Sequence, residues 1–518
     1  MSWLRWLPMA VPLALAVLLW WLPVDGDDVY YHAIRSVEQH RAWHEGAVFP
    51  RYHRGWNAGT GSFLPTVYSP IPLALGGGLT AATGEALRGV SLTLVCGLLV
   101  AAAILAVAWR RRGASLLATA PYMLALILTR ATTSELWAVA GAAVILAFGL
   151  PFAAAGRRRD LAVAGGIVLV AGSQLAMLVE LAWVLGGAWI AAGVLVWSNG
   201  AAARRAVAVS CRRVAGWVVA GLTAAGFLWL PNVMDGRYLA LDEATEGPFF
   251  WRHHFLPGSS ELSLFLTVVA ASLMIVIVIV ALRGQGDDRK PIVAAALLAL
   301  LLTLVVSTPF WHLPGMRFLQ FPWRFLGPAT VLAVMGLGSL SGRSYRFAVI
   351  VLLAPLAVLP VRLAPADGGI PASASPSELA TIAQDRWGLA PILPSDQGFY
   401  APGFDRLASL GELHRQSASV NAEFRTANSG RWRVVTDGVG PVFLPIQWWP
   451  EWRVEVGGEK VDYYNRSGLV SIEMAANEQI VQARLGFSLS RRVGAVVSFC
   501  GLSALALLWR RQRSSGDR

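Results

Sequence analysis

DGDDVYYHAIRSVEQHRAWHEGAVFPRYHRGWNAGTGSFLPTVYSPIPLAL, residues 25–75, is the stretch on which the reading of the chain turns. It follows directly on an apolar run, residues 4–24, that is long enough to cross a bilayer. That run ends in Pro23, Val24 and Asp25, a poor small-residue cleavage site, so it is expected to stay as a first transmembrane helix. The quoted stretch then emerges at a membrane surface. Asp28, His32, Ser36, His40 and His44 recur every four residues, which sets them along one stripe of a helix. A loop rich in Pro, Gly and aromatic residues follows. A chain this apolar has little reason to keep so polar a segment unless it does chemistry or binds a polar ligand. The competing reading, favoured for His40 and His44, is an amphipathic helix lying on the membrane.

Composition sets the class. Of 518 residues, 55% are apolar and 14% charged, whereas soluble domains carry about 25% charged residues. A polytopic α-helical membrane protein is expected. The net charge is +12, but the arginines cluster at the ends of apolar segments, as the positive-inside rule requires. No basic motif stands outside those clusters, so nucleic acid is not an expected partner. Cys96 and Cys500 fall in apolar segments and Cys211 lies among arginines, which excludes a disulfide framework.

About twelve spans are expected, several of them short: 4–24, 89–109, 114–130, 136–155, 161–180, 183–198, 214–230, 262–282, 291–310, 325–341, 347–364 and 493–509. The run 66–82 is interrupted by Pro70, Pro72 and the glycines 76–78, and is expected to be re-entrant or interfacial. With both termini in the cytoplasm, Arg110–Arg112, Arg157–Arg159, Arg204, Arg205, Arg212, Arg213 and the arginines after 509 all fall inside. A bacterial inner membrane with multi-pass topology is the expected location. All eight histidines, the acidic loop with Asp242, Glu243 and Glu246, and the segment 366–490 then face outside. The expected division is a membrane domain 1–365 with a first external loop 25–88, an external domain 366–490, and a last helix with its tail, 491–518. From Arg431 the external domain alternates apolar and polar residues in RWRVVTD, PVFLPIQWW, WRVEVGG, KVDYYN, LVSIEM and QIVQARLGFS, which predicts a small antiparallel β-sandwich.

Several groups can carry chemistry. Asp27 and Asp28 stand just outside the first span. Either can cap the following helix, take a proton from a hydroxyl, or, as Asp28 with His32, hold a divalent cation such as Mg or Mn. Arg51 and Arg54 suit a phosphate, or snorkel to headgroups. Arg130 and Glu135, and Glu180, are charges at the outer ends of spans, functional by default unless they sit at hairpin tips in water. Arg317 and Arg324, in MRFLQFPWRFL (316–326), can reach a lipid-linked phosphate at the surface, or serve with Trp323 only as anchors.

Taken together, Asp28-x-x-x-His32 after the first helix, Gly46, Pro50 and Arg51, the Gly59/Gly61 loop, Tyr68-Ser69-Pro70, the Arg130/Glu135 hairpin and FPWRFL at 321–326 resemble a known family. It is the GT-C superfamily of bacterial membrane glycosyltransferases, in the branch named "6-pyruvoyl-tetrahydropterin synthase-related membrane protein". The likeness covers about residues 1–365. The stretches WWPEWRVEVGGEKV (448–461) and GLVSIEM (468–474) are similar to the external β-domain of YfhO-like membrane proteins. The resemblance implies a first external loop that forms the active site. It implies transfer of a sugar from a polyprenyl-phosphate donor to a lipid, glycan or protein, with Asp28, flanked by Asp27, as base or metal ligand. His32, Arg51, Tyr68, Glu135, Arg317 and Arg324 would then bind substrate. The chain departs from the pattern in lacking a strict metal triad and in carrying Ser69 where Pro is usual. Two other classes fit the composition: a transporter or flippase of lipid-linked sugars, and a non-catalytic scaffold whose β-domain binds glycans.

Overall fold

The computed structural model describes residues 7–56, 60–63, 65, 68, 70–109, 114–150, 157–197, 200–238, 250–286, 289–313, 315–364, 370–375, 378, 411–413 and 415–514. Gly59, Ser69, Arg110–Arg112, the acidic residues at 242–246, His414 and most of 366–410 lie outside them.

The chain is mostly helical, with a sheet region near its C-terminus. Its helices are α1 (Leu7–Trp21), α2 (Val29–His44), α3 (Pro70–Thr83), α4 (Ala86–Trp109), α5 (Pro121–Leu128), α6 (Thr133–Gly149), α7 (Arg157–Ser173), α8 (Ala176–Val196), α9 (Gly200–Ala224) and α10 (Gly226–Asp235). They continue with α11 (Glu261–Arg283), α12 (Arg289–Leu302), the single turn α13 (Thr308–Trp311), α14 (Leu326–Leu337), α15 (Gly342–Leu353) and a C-terminal helix α16 (Leu489–Ser514). Five of these helices contain a stretch long and apolar enough to cross a membrane: α4, α8, α9, α11 and α16. Large apolar side chains such as Ile190, Val194, Leu282 and Phe499 remain exposed on their outer faces, as lipid-facing positions require.

At the centre stand α6 and α14. Every residue of α6 except Phe148 is buried, and so is all of α14. A helix apolar all round is stable only inside a bundle. Small residues bring the neighbours close: a Cβ on Gly141 of α6 would lie 3.0 Å from the Gly166 carbonyl of α7, the close approach that membrane helices use in place of a hydrophobic drive.

Three expectations change here. The run 66–82 contains a continuous helix, α3, and its glycines do not break it. They admit α2: a Cβ on Gly76 would lie 2.6 Å from Ser36 Oγ, and one on Gly77 2.7 Å from Gln39 Cγ. The spans drawn at 161–180 and 183–198 are divided elsewhere, because α7 ends at Ser173 and α8 begins at Ala176. Glu180 therefore sits in the first part of α8. Finally, α2 is no surface helix. Twelve of its residues are buried, Arg35, Glu38 and Gln39 among them.

The sheets begin earlier than Arg431. β1 (Ser419–Arg425), β2 (Ser429–Thr436), β8 (Asn477–Leu485), β4 (Trp452–Val456) and β5 (Glu459–Val461) form one antiparallel sheet, in that order. β3 (Gly440–Gln447), β7 (Leu469–Met474) and β6 (Tyr464–Arg466) form a second. β1 carries the same alternation in Val420, Ala422 and Phe424, but none of its residues is fully buried. The β4–β5 turn uses Gly457 and Gly458, both at positive φ, as a tight hairpin requires. Both sheets feed one apolar cluster containing Trp432, Leu444, Trp452 and Ile472.

Two residues of that cluster come from the first loop. Phe63 stacks on Trp449 at 4.3 Å, and Tyr52 meets Trp452 edge-on at 5.6 Å. The loop is thereby plugged into the sheets some 400 residues on. Phe63→Ala should cost about 3–5 kcal/mol at this docking site. Amide exchange should rise across 50–63 and 444–454 while α6 keeps its protection. Unchanged exchange in the loop would show that Phe63 does not hold it.

Candidate functional site

The first loop meets the bundle through the backbone. The Asp27 N–H donates to the Thr129 carbonyl (3.1 Å) and the Asp28 N–H to that of Arg130 (2.8 Å). Beside them the Arg362 N–H donates to Leu128 (2.8 Å), and the Asp25 N–H to Arg362 (3.0 Å). Segments 23–28, 128–131 and 360–364 are thus laced together at one end of the helices. Gly26 permits this approach: a Cβ there would lie 2.7 Å from the Arg130 carbonyl carbon.

Asp28 occupies the N-cap position of α2, yet its carboxylate makes no capping bond. It accepts instead from Arg130 Nη2 at 3.2 Å. Arg130 Nη1 donates to Glu135 Oε2 at 2.8 Å, and the Tyr122 hydroxyl donates to Glu135 Oε1 at 2.5 Å. Arg324 Nε stands 3.6 Å from the same Glu135 oxygen, while its Nη1 donates to the Leu319 carbonyl at 2.7 Å. The Arg130 guanidinium lies over the Trp323 ring at 4.4 Å. Glu135 is fully buried; Asp28 keeps 38% of its side chain open. The result is a charge chain, Arg324–Glu135–Arg130–Asp28, rooted in the protein and ending in a carboxylate at the rim.

Burial raises the Asp28 carboxyl above its ordinary range, against the opposing pull of Arg130 and with support from Asp27 and Glu135. A carboxylate so raised holds a proton more readily, which suits a general base. His32 lies one turn on. Its Nδ1 is 3.2 Å from Thr133 Oγ1, and burial, followed by the charges of Arg35 and Arg130, holds the imidazole well below its usual range, hence neutral. Tyr68 reaches the same corner, its hydroxyl 3.2 Å from Ser134 Oγ.

Asp28, His32, Tyr68, Glu135 and Arg324 are therefore gathered at one corner. Asp27 is not part of it: its carboxylate pairs with Arg362. Arg51 is also elsewhere. It is 4% exposed and donates to Glu451 Oε2 (2.5 Å) and the Gly486 carbonyl (2.6 Å), so it bolts the loop to the sheets and belongs to a different cluster from Arg324. Arg317 lies on the short helix Met316–Leu319, and its side chain falls outside the described part. Tyr122 carries no signal in the sequence. It is one apolar-looking position in PYMLALIL, and nothing local marks it as the partner of Glu135. Glu180, fully buried with both carboxylate oxygens unpartnered among the described residues, is the remaining acid of the region.

A divalent cation held by Asp28 and His32 fits poorly. The Asp28 carboxylate already faces a guanidinium, His32 Nδ1 is turned to Thr133, and Asp27 is engaged by Arg362. Among the described residues no group of three or more His, Cys, Asp or Glu side chains is arranged to hold a metal. No protein-family model matches the chain, and no curated protein matches its sequence.

Proposed function

We propose that the chain is a GT-C-type membrane glycosyltransferase that moves a sugar from a polyprenyl-phosphate donor to a lipid, glycan or protein acceptor outside the cytoplasmic membrane. The observation that carries this reading is Asp28. It sits where a helix cap belongs but leaves the cap unmade, and it is aimed and tuned by a buried Arg130–Glu135–Tyr122 scaffold instead. Such rigid support is what a base needs in order to act at a fixed point. In the step, Asp28 takes the proton of the acceptor hydroxyl. The acceptor oxygen bonds to the anomeric carbon as the bond from that carbon to the phosphate oxygen breaks, with inversion, and the polyprenyl phosphate leaves with the bonding pair. The direct test is transfer by purified protein in liposomes given a lipid-linked sugar. Release of polyprenyl phosphate coupled to a glycosylated acceptor supports the reading, and movement of intact donor across the bilayer without product supports the flippase. Glu180, an unpartnered acid on an apolar helix, is the feature that favours the latter.

The topology that goes with this reading has about twelve spans, both termini in the cytoplasm, and the two sheets packed as an external sandwich. Arg158→Cys should resist a membrane-impermeant thiol reagent in intact cells, and Val439→Cys, on an 83% exposed position of the sheet region, should react. Labelling at 158 without permeabilisation would sink this arrangement.

A further inference from the structure

Arg35 follows Asp28 by seven residues on α2, so it lies about 10 Å along the same side of the helix. Its side chain is 1% exposed, and neither Nε nor Nη2 has a hydrogen-bond partner among the described residues. Among the described residues no carboxylate pairs with it. The nearest acid on the helix, Glu38, is paired with Arg41 and accepts from the Gly55 N–H at 3.2 Å. Arg35 is flanked instead by the ring faces of Tyr68 (4.2 Å) and Tyr31 (5.1 Å).

Arg35 borders a small cavity between α2, α3, α4 and α6, shared with His32, Ser36, Gly76, Thr93 and Thr133. His32 Nε2 is buried and unpartnered as well. In the tautomer in which the Thr133 hydroxyl donates to Nδ1, the neutral ring carries its proton on Nε2 and is a second donor. The hydroxyls of Ser36 and Thr93 spend their protons on the His32 and Gly89 carbonyls. The free donors of the cavity thus belong to a cation and to an imidazole. His53, buried with both ring nitrogens unpartnered, senses the same Arg35 charge. A buried guanidinium without a counter-charge is costly. An oxyanion removes that cost, and the side-on pair Nε and Nη2 matches two phosphate oxygens.

We propose that this cavity takes a phosphate-type oxyanion, gripped by Arg35 Nε and Nη2 and by His32 Nε2. That the group is the phosphate of a lipid-linked donor rests on the transfer reading; the oxyanion pocket does not. It also explains why Arg51, whose sequence context suits a phosphate, is free to serve as a bolt.

The test is the thermal stability of the purified full chain in detergent, with inorganic phosphate, farnesyl phosphate or farnesol added. Farnesyl phosphate should raise the melting temperature of the wild type and farnesol should not. A rise with inorganic phosphate as well supports a soluble oxyanion as the occupant, and a rise with farnesyl phosphate alone supports a lipid one. Arg35→Met and Arg35→Gln should weaken the phosphate response about ten- to hundred-fold. Without ligand, Arg35→Met should melt no lower than the wild type, since it removes an uncompensated charge. Equal shifts in wild type and both variants, no shift with either phosphate, or an Arg35→Met protein that melts far lower without ligand would each overturn the pocket. Asp28→Asn should keep the phosphate shift. If it does so and still transfers sugar at the wild-type rate, the pocket stands and the transfer reading falls.

Discussion

Asp28→Asn should lower sugar transfer by about 10²–10⁴-fold, the range that a positioned base contributes, in a protein that inserts and melts like the wild type. The amide is the same size and can still accept from Arg130, so the network keeps its geometry. Because Asp28 makes no side-chain capping bond, no helix cap is lost. What disappears is the proton acceptor. The dependence on pH gives an independent readout. Burial raises the carboxyl, so the base is protonated, and transfer falls, at a higher pH than for an ordinary aspartate. The stability sign runs opposite to the activity. A raised carboxyl favours the folded state while it is protonated, and this contribution is lost as pH rises through its folded value. Wild-type transfer by Asp28→Asn, with loss of transfer in Asp27→Asn, would move the base to the neighbouring residue. Full activity in both would leave the two carboxylates with the backbone and ion-pair roles seen here and no chemistry.

Glu135→Ala should be the most destabilising change at this corner, by about 3–5 kcal/mol. Glu135 is fully buried and answers Arg130, Arg324 and the Tyr122 hydroxyl together. Without it, among the described residues, Arg130 is left with Asp28, which is 38% exposed, and Arg324 with no carboxylate at ion-pair distance. Tyr122→Phe removes one hydrogen bond from the same carboxylate and should cost only about 1 kcal/mol. The measurement is resistance to thermal unfolding in a mild detergent. A Glu135→Ala protein as robust as Tyr122→Phe would mean that the buried charges are already neutralised some other way. If Asp28 works only when Arg130 is held in place, Tyr122→Phe should also lower the transfer rate modestly at unchanged donor affinity. A merely structural tyrosine would leave that rate alone.

The membrane class, the polar first loop and six strand segments of the sheet region were open to reading from the chain, because each is written in a local period. Long apolar runs, fourfold spacing in VYYHAIRSVEQH and twofold alternation in RWRVVT need no partner to be recognised. Asp28, His32 and Glu135 could be chosen on the same ground, as polar residues placed next to apolar runs. Roles were decided by contacts that no local pattern encodes. Arg51 and Arg54 are three residues apart in one loop, yet Arg51 goes to Glu451, 400 positions on, and Arg54 to the neighbouring Glu45. Asp27 and Asp28 are adjacent, but their side chains diverge to Arg362 and Arg130. The glycines 76–78, which read as breakers, make room for α2, since a missing Cβ signals a turn only until a neighbouring helix is known to need the space. Nothing in the local pattern around Arg35 marks it out. Only the packing of α2 inside the bundle buries it with Nε and Nη2 unbonded among the described residues, for burial is a property of the neighbours and not of the residue.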